Sequence, residues 1–390
     1  MYNHQSTKNN NNRGHMSQEL DLFKQSLHRF LDQEVAPSYL DWEQQGIIPR
    51  QLWRTLGKAG FLCVDMPIEY GGCGGDLNMS AMVIEVLSQR GFAALATNVS
   101  VHSDIVAPYI SHLGNEAQKK QWLPLLALGE AVGAIAMTEP GAGSDLQAMR
   151  CKAIKTDEGY LVSGQKTFIT NGQHADVCIV AAKTDPNAGA KGISLFLLEK
   201  ASQGYDIGSN LKKIGQHCGD TSELFFSDVL VKEPLGQLHK GFAHLMNELP
   251  RERLILAVGA IAACSGMLDM TVEYTKQRQL FGQSLSQLQN TRFVLAHLDT
   301  QMSIHQAFIL HCIALYEEDG LSAVMASKAK LSSTELQCKV ADDCLQLFGG
   351  YGYMEEYPIA RAFLDARVQR IYGGASEVMK EIIARDLLGK

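Results

Sequence analysis

Positive charge is in short supply: 35 Lys and Arg stand against 42 Asp and Glu, giving a formal net charge of -7 and a pI near 6.0. Nucleic acids and anionic membrane surfaces select the opposite balance, so neither is expected as a partner and a small molecule is. None of the nine cysteines forms a C-x-x-C pair, which removes zinc-knuckle and dithiol readings. Scattered at 63, 73, 151, 178, 218, 264, 312, 338 and 344, they read as reduced thiols of a cytoplasmic protein. Histidines at H-x-x-x-H spacing are also missing, so no metal site is expected, and His102, His112 and His217 read as ordinary core or surface residues. No apolar run approaches the roughly 18 residues that cross a bilayer, and no apolar signal core follows the N-terminus, so stable membrane insertion and export are not expected.

The 390 residues, 46% hydrophobic and 20% charged, suffice for two or three domains with a sizeable core. Residues 1–15, with four asparagines in a row from Asn9, read as a disordered tail, and Met16 as a candidate start. From Gln18 to about Val132 apolar residues recur at helical spacing, as in Leu20, Phe23, Leu27, Phe30 and Leu31, which predicts an all-α domain over 16–132. Short β-rich runs follow at Tyr160–Val162, Val177–Val180, Gly192–Leu198 and Glu223–Val231, separated by turns such as Asn171-Gly172. They predict a small β-barrel or sandwich over 133–238, and the absence of crossover helices argues against a doubly wound nucleotide fold. Helical patterns at Leu254–Gln277, Leu285–Glu317, Ala323–Phe348 and Ile359–Leu388 predict an antiparallel four-helix bundle over 239–390, making the whole an α+β chain.

Between the first two segments lies Ala136-Met-Thr-Glu-Pro-Gly-Ala-Gly-Ser-Asp145. Pro140, Gly141 and Gly143 forbid a helix and free backbone amides for close approach to a ligand. The stretch is neither the G-x-G-x-x-G dinucleotide fingerprint nor a phosphate loop, and by itself reads equally well as a surface turn. Glu252, in Leu-Pro-Arg-Glu-Arg-Leu, is the leading candidate for a base; Pro250 fits the first position of a helix, which would put Glu252 in the first turn. The competing reading there is a dipole partner flanked by Arg251 and Arg253. Arg278, Phe281, Gly282 and Gln289 lie where one helix gives way to the next, with Gly282 a candidate C-cap. Gln346, Gly349 and Gly350 read locally as an interhelical turn.

Thr138–Asp145 together with Gly164-Gln-Lys-Thr-Phe-Ile-Thr-Asn-Gly172 resembles the signature of the flavin-dependent acyl-CoA dehydrogenases, most of all their long-chain branch, and the likeness runs from about Asp21 to the C-terminus. The resemblance implies FAD as cofactor, a fatty acyl-CoA substrate oxidised in β-oxidation, an electron-transfer flavoprotein as acceptor and a homotetramer. It implies flavin contacts at Met137, Thr138, Phe168, Ile169 and Thr170, with Thr170 near N5. Arg278, with Phe281 and Gln289, would reach the pyrophosphate of a neighbouring subunit's FAD. Gln346, Gly349 and Gly350 would wrap the adenosine half, and Ser376 and Glu377 complete the C-terminal loop. Ser144, Pro250, Arg251 and Arg253 would line the thioester side. Most of the family carries its base in that C-terminal loop, in Tyr-Glu-Gly-Thr; here the loop reads Tyr372-Gly-Gly-Ala375, with Gly373 where the Glu would stand. The long-chain and isovaleryl branches move the base to the helix position that Glu252 matches, leaving the Gly373 amide to polarise the thioester carbonyl. Ala375 departs from the usual Thr. The competing readings are a branched-chain acyl-CoA dehydrogenase of isovaleryl or citronellyl type, and a flavin oxidase or monooxygenase on the same fold.

Overall fold

Residues 19–389 are described by the computed structural model, so the tail at 1–15 and the start at Met16 lie outside the described residues. The amphipathic first third forms α1 (19–30), α2 (Tyr39–Gln45), α3 (Arg50–Lys58), α4 (Leu77–Gln89), α5 (Ala93–Ser100), α6 (Ala107–Leu113) and α7 (Glu116–Ala127). Local chemistry sets their ends. The Asp76 side chain accepts the Met79 N–H at the start of α4, and Asn115 and Gln118 form a reciprocal capping box on α7. Between α5 and α6 the chain widens into a π-helical turn, Val101–Val106, a deformation often found at functional sites.

The middle is one curled seven-stranded sheet: β1 (Gly133–Ala136), β2 (Lys152–Lys155), β3 (Tyr160–Thr170), β4 (Val177–Lys183), β5 (Ile193–Glu199), β6 (Tyr205–Asn210) and β7 (Thr221–Val231). The order is β1-β4-β2-β3-β7-β6 with β5 on the other side of β4, and β1 runs parallel to β4 with Gly133 opposite Val177. This is the small β domain that the alternating runs predict. Asn171-Gly172 is not a hairpin turn, because β3 pairs with β2 and β7 and not with β4. Asn171 instead sits at φ 65° and its Nδ2 donates 3.0 Å bonds to the Asn98 and Gly133 carbonyls, stitching the sheet to α5.

The last third holds α8 (Gly241–Gln277), α9 (Gln289–Asp319), α10 (Ala323–Phe348), α11 (Pro358–Ala366) and α12 (Ser376–Leu387). Two expectations change here. The helix carrying Glu252 begins at Gly241, so Pro250 is internal and Glu252 lies in the fourth turn, not the first. Pro250 forfeits one backbone bond, and packing of α8 against α10, α4 and α9 outweighs that local cost. By length and apolarity α8 would also pass as a membrane-crossing helix, contrary to the reading of the sequence, yet it is the mostly buried centre of this bundle. The expected fourth helix is two, α11 and α12, separated by 367–375. Gly282 caps no helix: α8 ends at Gln277 with Arg278 as its C-cap, and Phe281-Gly282, at φ 52° and 78°, turn a minimal hairpin of β8 (Gln279–Leu280) and β9 (Gln283–Ser284).

Candidate active site

Three consecutive residues of α8 are buried and point three ways. Arg251 reaches the N-terminal helices, where its guanidinium pairs with Asp65, lies 3.6 Å from Asp104 and donates through Nε to the Asp104 carbonyl. Asp104, presented by the π turn, also takes the Ser80 hydroxyl; burial pushes its pKa up to about 7, while Arg251 pulls the other way. Held by Asp65, by the Asp104 carbonyl and near the Asp104 carboxylate, Arg251 braces α8 against the N-terminal segment.

Glu252 is 4% exposed. Burial pushes its carboxyl up to about 7, opposed by a 2.9 Å hydrogen bond from the Tyr109 hydroxyl to Oε1 and by Arg253, and reinforced by Glu248. A carboxylate poised near neutrality in an apolar wall has the property of a general base. Tyr109 was not picked out from the sequence; the only signal was a hydroxyl on an otherwise apolar face of α6.

Arg253 turns toward the C-terminal loop, with Nε 3.4 Å from the Gly373 carbonyl and Nη1 3.4 Å from the Ser327 hydroxyl. Buried Lys330 on α10 donates a 2.7 Å bond to the next carbonyl, Gly374, and burial pulls its pKa down to about 8. Two cations thus grip the two carbonyls of a turn that needs glycine, at φ 63° and 103°. A Cβ on Gly373 would stand 2.3 Å from Leu256 Cδ1, one helical turn beyond Glu252 on the same face of α8. Glu252, Arg253 and Gly373 are therefore brought together.

A second group gathers on the sheet. The stretch 136–145 is built on a wholly buried ion pair missed in the sequence: Lys166 Nζ lies 2.9 Å from Glu139 Oε1 and 2.9 Å from the Met137 carbonyl. The Glu139 carboxylate also takes the N–H groups of Arg150 and Cys151. Thr167 N–H bonds the Thr138 carbonyl, which sets Met137 and Thr138 beside the end of β3. There the strand bulges: Phe168, at φ 59° and 66% exposed, faces out while Ile169 turns in and Thr170 is half-buried. An aromatic residue held in the left-handed region and left facing open space is strain of the kind found at ligand sites. Ser144 is exposed, in a loop where Gly141 and Gly143 have nothing within 4 Å.

A third group lies at the far end of α8. Arg278 stacks over the Tyr351 ring at 5.4 Å, next to Gly349, at φ 61°, and Gly350, neither with an atom within 4 Å of a would-be Cβ. Phe281, 86% exposed, and Gln289 and Gln346, also exposed, are on the same side of the bundle. Arg278 is 26 residues of helix beyond Glu252, about 39 Å at 1.5 Å per residue. Ser376 starts α12 with its hydroxyl buried and unpartnered, and Glu377 beside it is exposed. His102 is a core histidine, pushed down to about 4 by burial and bonded to the Leu126 carbonyl and the Gly133 N–H. His112 pairs with Glu248 and His217 lies beside Glu43. Among the described residues no cluster of His, Cys, Asp or Glu could hold a metal.

A buried carboxylate with a raised pKa, a strained outward aromatic at a strand end and unobstructed glycine loops are features of a ligand-binding enzyme site. Family models for the acyl-CoA dehydrogenase N-terminal, middle and C-terminal domains match residues 17–130, 134–229 and 239–388. The long-chain specific acyl-CoA dehydrogenase of Sus scrofa mitochondria is 46% identical over 95% of this chain and 87% of its own. An acyl-CoA dehydrogenase structure from Geobacillus kaustophilus superposes with a TM-score of 0.92 at 44% identity, covering 95% of this chain and 98% of that one. A glutaryl-CoA dehydrogenase from Mycobacterium smegmatis, solved in complex with FADH2, gives 0.90 at 28% identity, over 96% and 95%. The chain belongs to the acyl-CoA dehydrogenase family. It is an oxidoreductase with acyl-CoA dehydrogenase activity and FAD as its cofactor. The residues present fit that cofactor: among the described residues the buried Ser376 hydroxyl has no partner, Phe168 faces outward, and nothing obstructs the Gly349-Gly350 backbone.

Replacing Glu139 by Gln strands the buried Lys166 charge, and breaking such a pair costs about 3–5 kcal/mol. Denaturant unfolding of Glu139→Gln should show a loss of that order together with weaker flavin retention; an unchanged midpoint would mean that Lys166 finds another partner.

Proposed function

We propose that Glu252 takes the α-proton of a medium- or long-chain fatty acyl-CoA, giving the trans-2-enoyl-CoA in fatty-acid β-oxidation. The observation that carries this is the environment of Glu252: buried, its pKa pushed up to about 7 by that burial, hydrogen-bonded by Tyr109, and one helical turn from Leu256, whose side chain lies against Gly373. FAD, when bound, supplies the acceptor for the β-hydrogen as hydride. Met137, Thr138, Phe168, Ile169, Thr170 and Ser376 are the residues that would hold its ring side. The work left to the chain is orientation and proton transfer. Arg251 locks α8 against the N-terminal helices so that the carboxylate next to it cannot drift. Arg253 and Lys330 hold the carbonyls of Gly373 and Gly374, which turns the Gly373 amide into a candidate donor to the thioester carbonyl. Ser144 sits on an open glycine loop suited to the CoA side.

The far group of Arg278, Phe281, Gln289, Gln346, Gly349 and Gly350, with Glu377, would serve FAD across a subunit boundary. About 39 Å of helix separates Arg278 from Glu252 in one chain, too far for one FAD to reach both. That supports a homotetramer built from such dimers. Nine unpaired cysteines support a reduced, cytoplasmic setting. An electron-transfer flavoprotein is proposed as acceptor on family membership.

Glu252→Gln should retain FAD and substrate while losing turnover by about 10²–10⁴-fold, the usual contribution of a general base. Because the base acts deprotonated and burial raises its pKa to about 7, kcat/KM of the unmodified enzyme should climb as pH rises through that value. Flavin bleaching in Glu252→Gln at the native rate would end the assignment. A series of acyl-CoA chain lengths with an artificial acceptor is expected to peak at medium or long chains; a maximum at a short branched thioester would assign the branched-chain reading, and rapid reoxidation of the reduced enzyme by air an oxidase. Light scattering of the flavin-loaded protein should give four times the chain mass, and a flavin-loaded monomer would contradict the shared site.

A further inference from the structure

The two oxygens of Glu252 are not equivalent. Oε1 accepts the Tyr109 hydroxyl at 2.9 Å, while Oε2 has no hydrogen-bond partner among the described residues and is not among the sealed, unpartnered polar atoms. Tyr109 is itself fully buried, and Glu252 is the one acceptor its hydroxyl meets among the described residues. A phenylalanine would fill the same apolar space, so packing alone does not account for the hydroxyl.

The frame around this bond is rigid. Tyr109 follows directly on the π turn, whose His102 is bonded to the Leu126 carbonyl and the Gly133 N–H. From the same turn Asp104 meets Arg251, the residue before Glu252. Two cross-links, 104 to 251 and 109 to 252, therefore join the same two segments and fix how far apart they stand. A side chain tied through one oxygen in such a frame has its other oxygen aimed.

We propose that Tyr109 is a positioning residue for the base: by holding Oε1 it makes Oε2 the oxygen that receives the substrate α-proton. This rests on the reading of Glu252 as the base. The α C–H bond breaks, its proton goes to Oε2 and its electron pair to the Cα=Cβ bond that forms as the β-hydrogen leaves as the hydride that bound FAD would accept, and the resulting neutral carboxyl keeps Oε1 as acceptor for the same hydroxyl. Tyr109 stays a donor throughout, because burial and the neighbouring Glu252 hold its pKa well above the usual tyrosine value. The other charged groups facing Glu252 are Glu248 and Arg253 on α8, with His112 of α6 bonded to Glu248 at 2.9 Å.

The test is Tyr109→Phe in the FAD-loaded enzyme, with two readouts. Infrared difference spectra against Glu252→Gln, taken without substrate through a pH series, report the carboxyl ionisation. Losing a donor to the anion should move its midpoint up by about one pH unit, the scale of one charge-assisted hydrogen bond. Above that midpoint, where the carboxylate is ionised in both proteins, kcat should remain about tenfold low with KM unchanged, because the free oxygen is no longer aimed. Tyr109→Gln, which returns a donor, should bring the midpoint back toward the native value. An unmoved midpoint with a native high-pH rate in Tyr109→Phe, while Glu252→Gln is inert, overturns the role of Tyr109 alone. A fully active Glu252→Gln overturns the base assignment and this proposal together.

Discussion

Burial of three charged residues in a row on one helix is the constraint on which the rest depends. Successive residues on an α-helix point about 100° apart, so Arg251, Glu252 and Arg253 cannot share one face. Burying all three demands that α8 be enclosed from several sides at once. The N-terminal helices close one side with Asp65, Asp104 and Tyr109, and the loop before α12 closes another with the Gly373 carbonyl. The chain's division into a helical wall, a sheet and a bundle is the means by which one turn of helix comes to be surrounded.

Buried ion pairs recur where these segments meet. Arg251 with Asp65 and Asp104, and Lys166 with Glu139, each cost desolvation that apolar residues of the same size would avoid. What they supply is register. An apolar contact tolerates sliding, whereas a guanidinium held by carboxylates from two segments has one arrangement that satisfies it. Both pairs adjoin candidate site residues: Arg251 precedes Glu252, and Lys166, two residues before Phe168, holds the carbonyl of Met137.

The order of helix, sheet and helix was legible because the hydrophobic period changes twice, and the loop at 136–145 because Pro and Gly punctuate it. The strands that escaped notice, β1, β2 and β6, are only four to six residues long, and β1 pairs in parallel with a strand more than forty residues away. Pro250 misled because its local rule, first position of a helix, is sound for an isolated segment; here tertiary packing carries the helix through it. Gly282 misled in the same way, since a glycine after a helix also serves a tight hairpin. Glu252 and the glycine loop could be singled out along the chain, but the partners that give them their properties could not. Tyr109 lies 143 residues from Glu252, and no periodicity connects them.

The contact between Gly373 and Leu256 bears on how such a site could change over evolutionary time. If the base stands on the helix at Glu252, as proposed, moving it to the loop would mean placing a carboxylate at 373, where glycine now stands. A side chain at 373 would have to take up a left-handed backbone, at φ 63°, and turn the flexible end of Leu256 aside. What position 373 can hold therefore depends on how the side chain at 256 is turned.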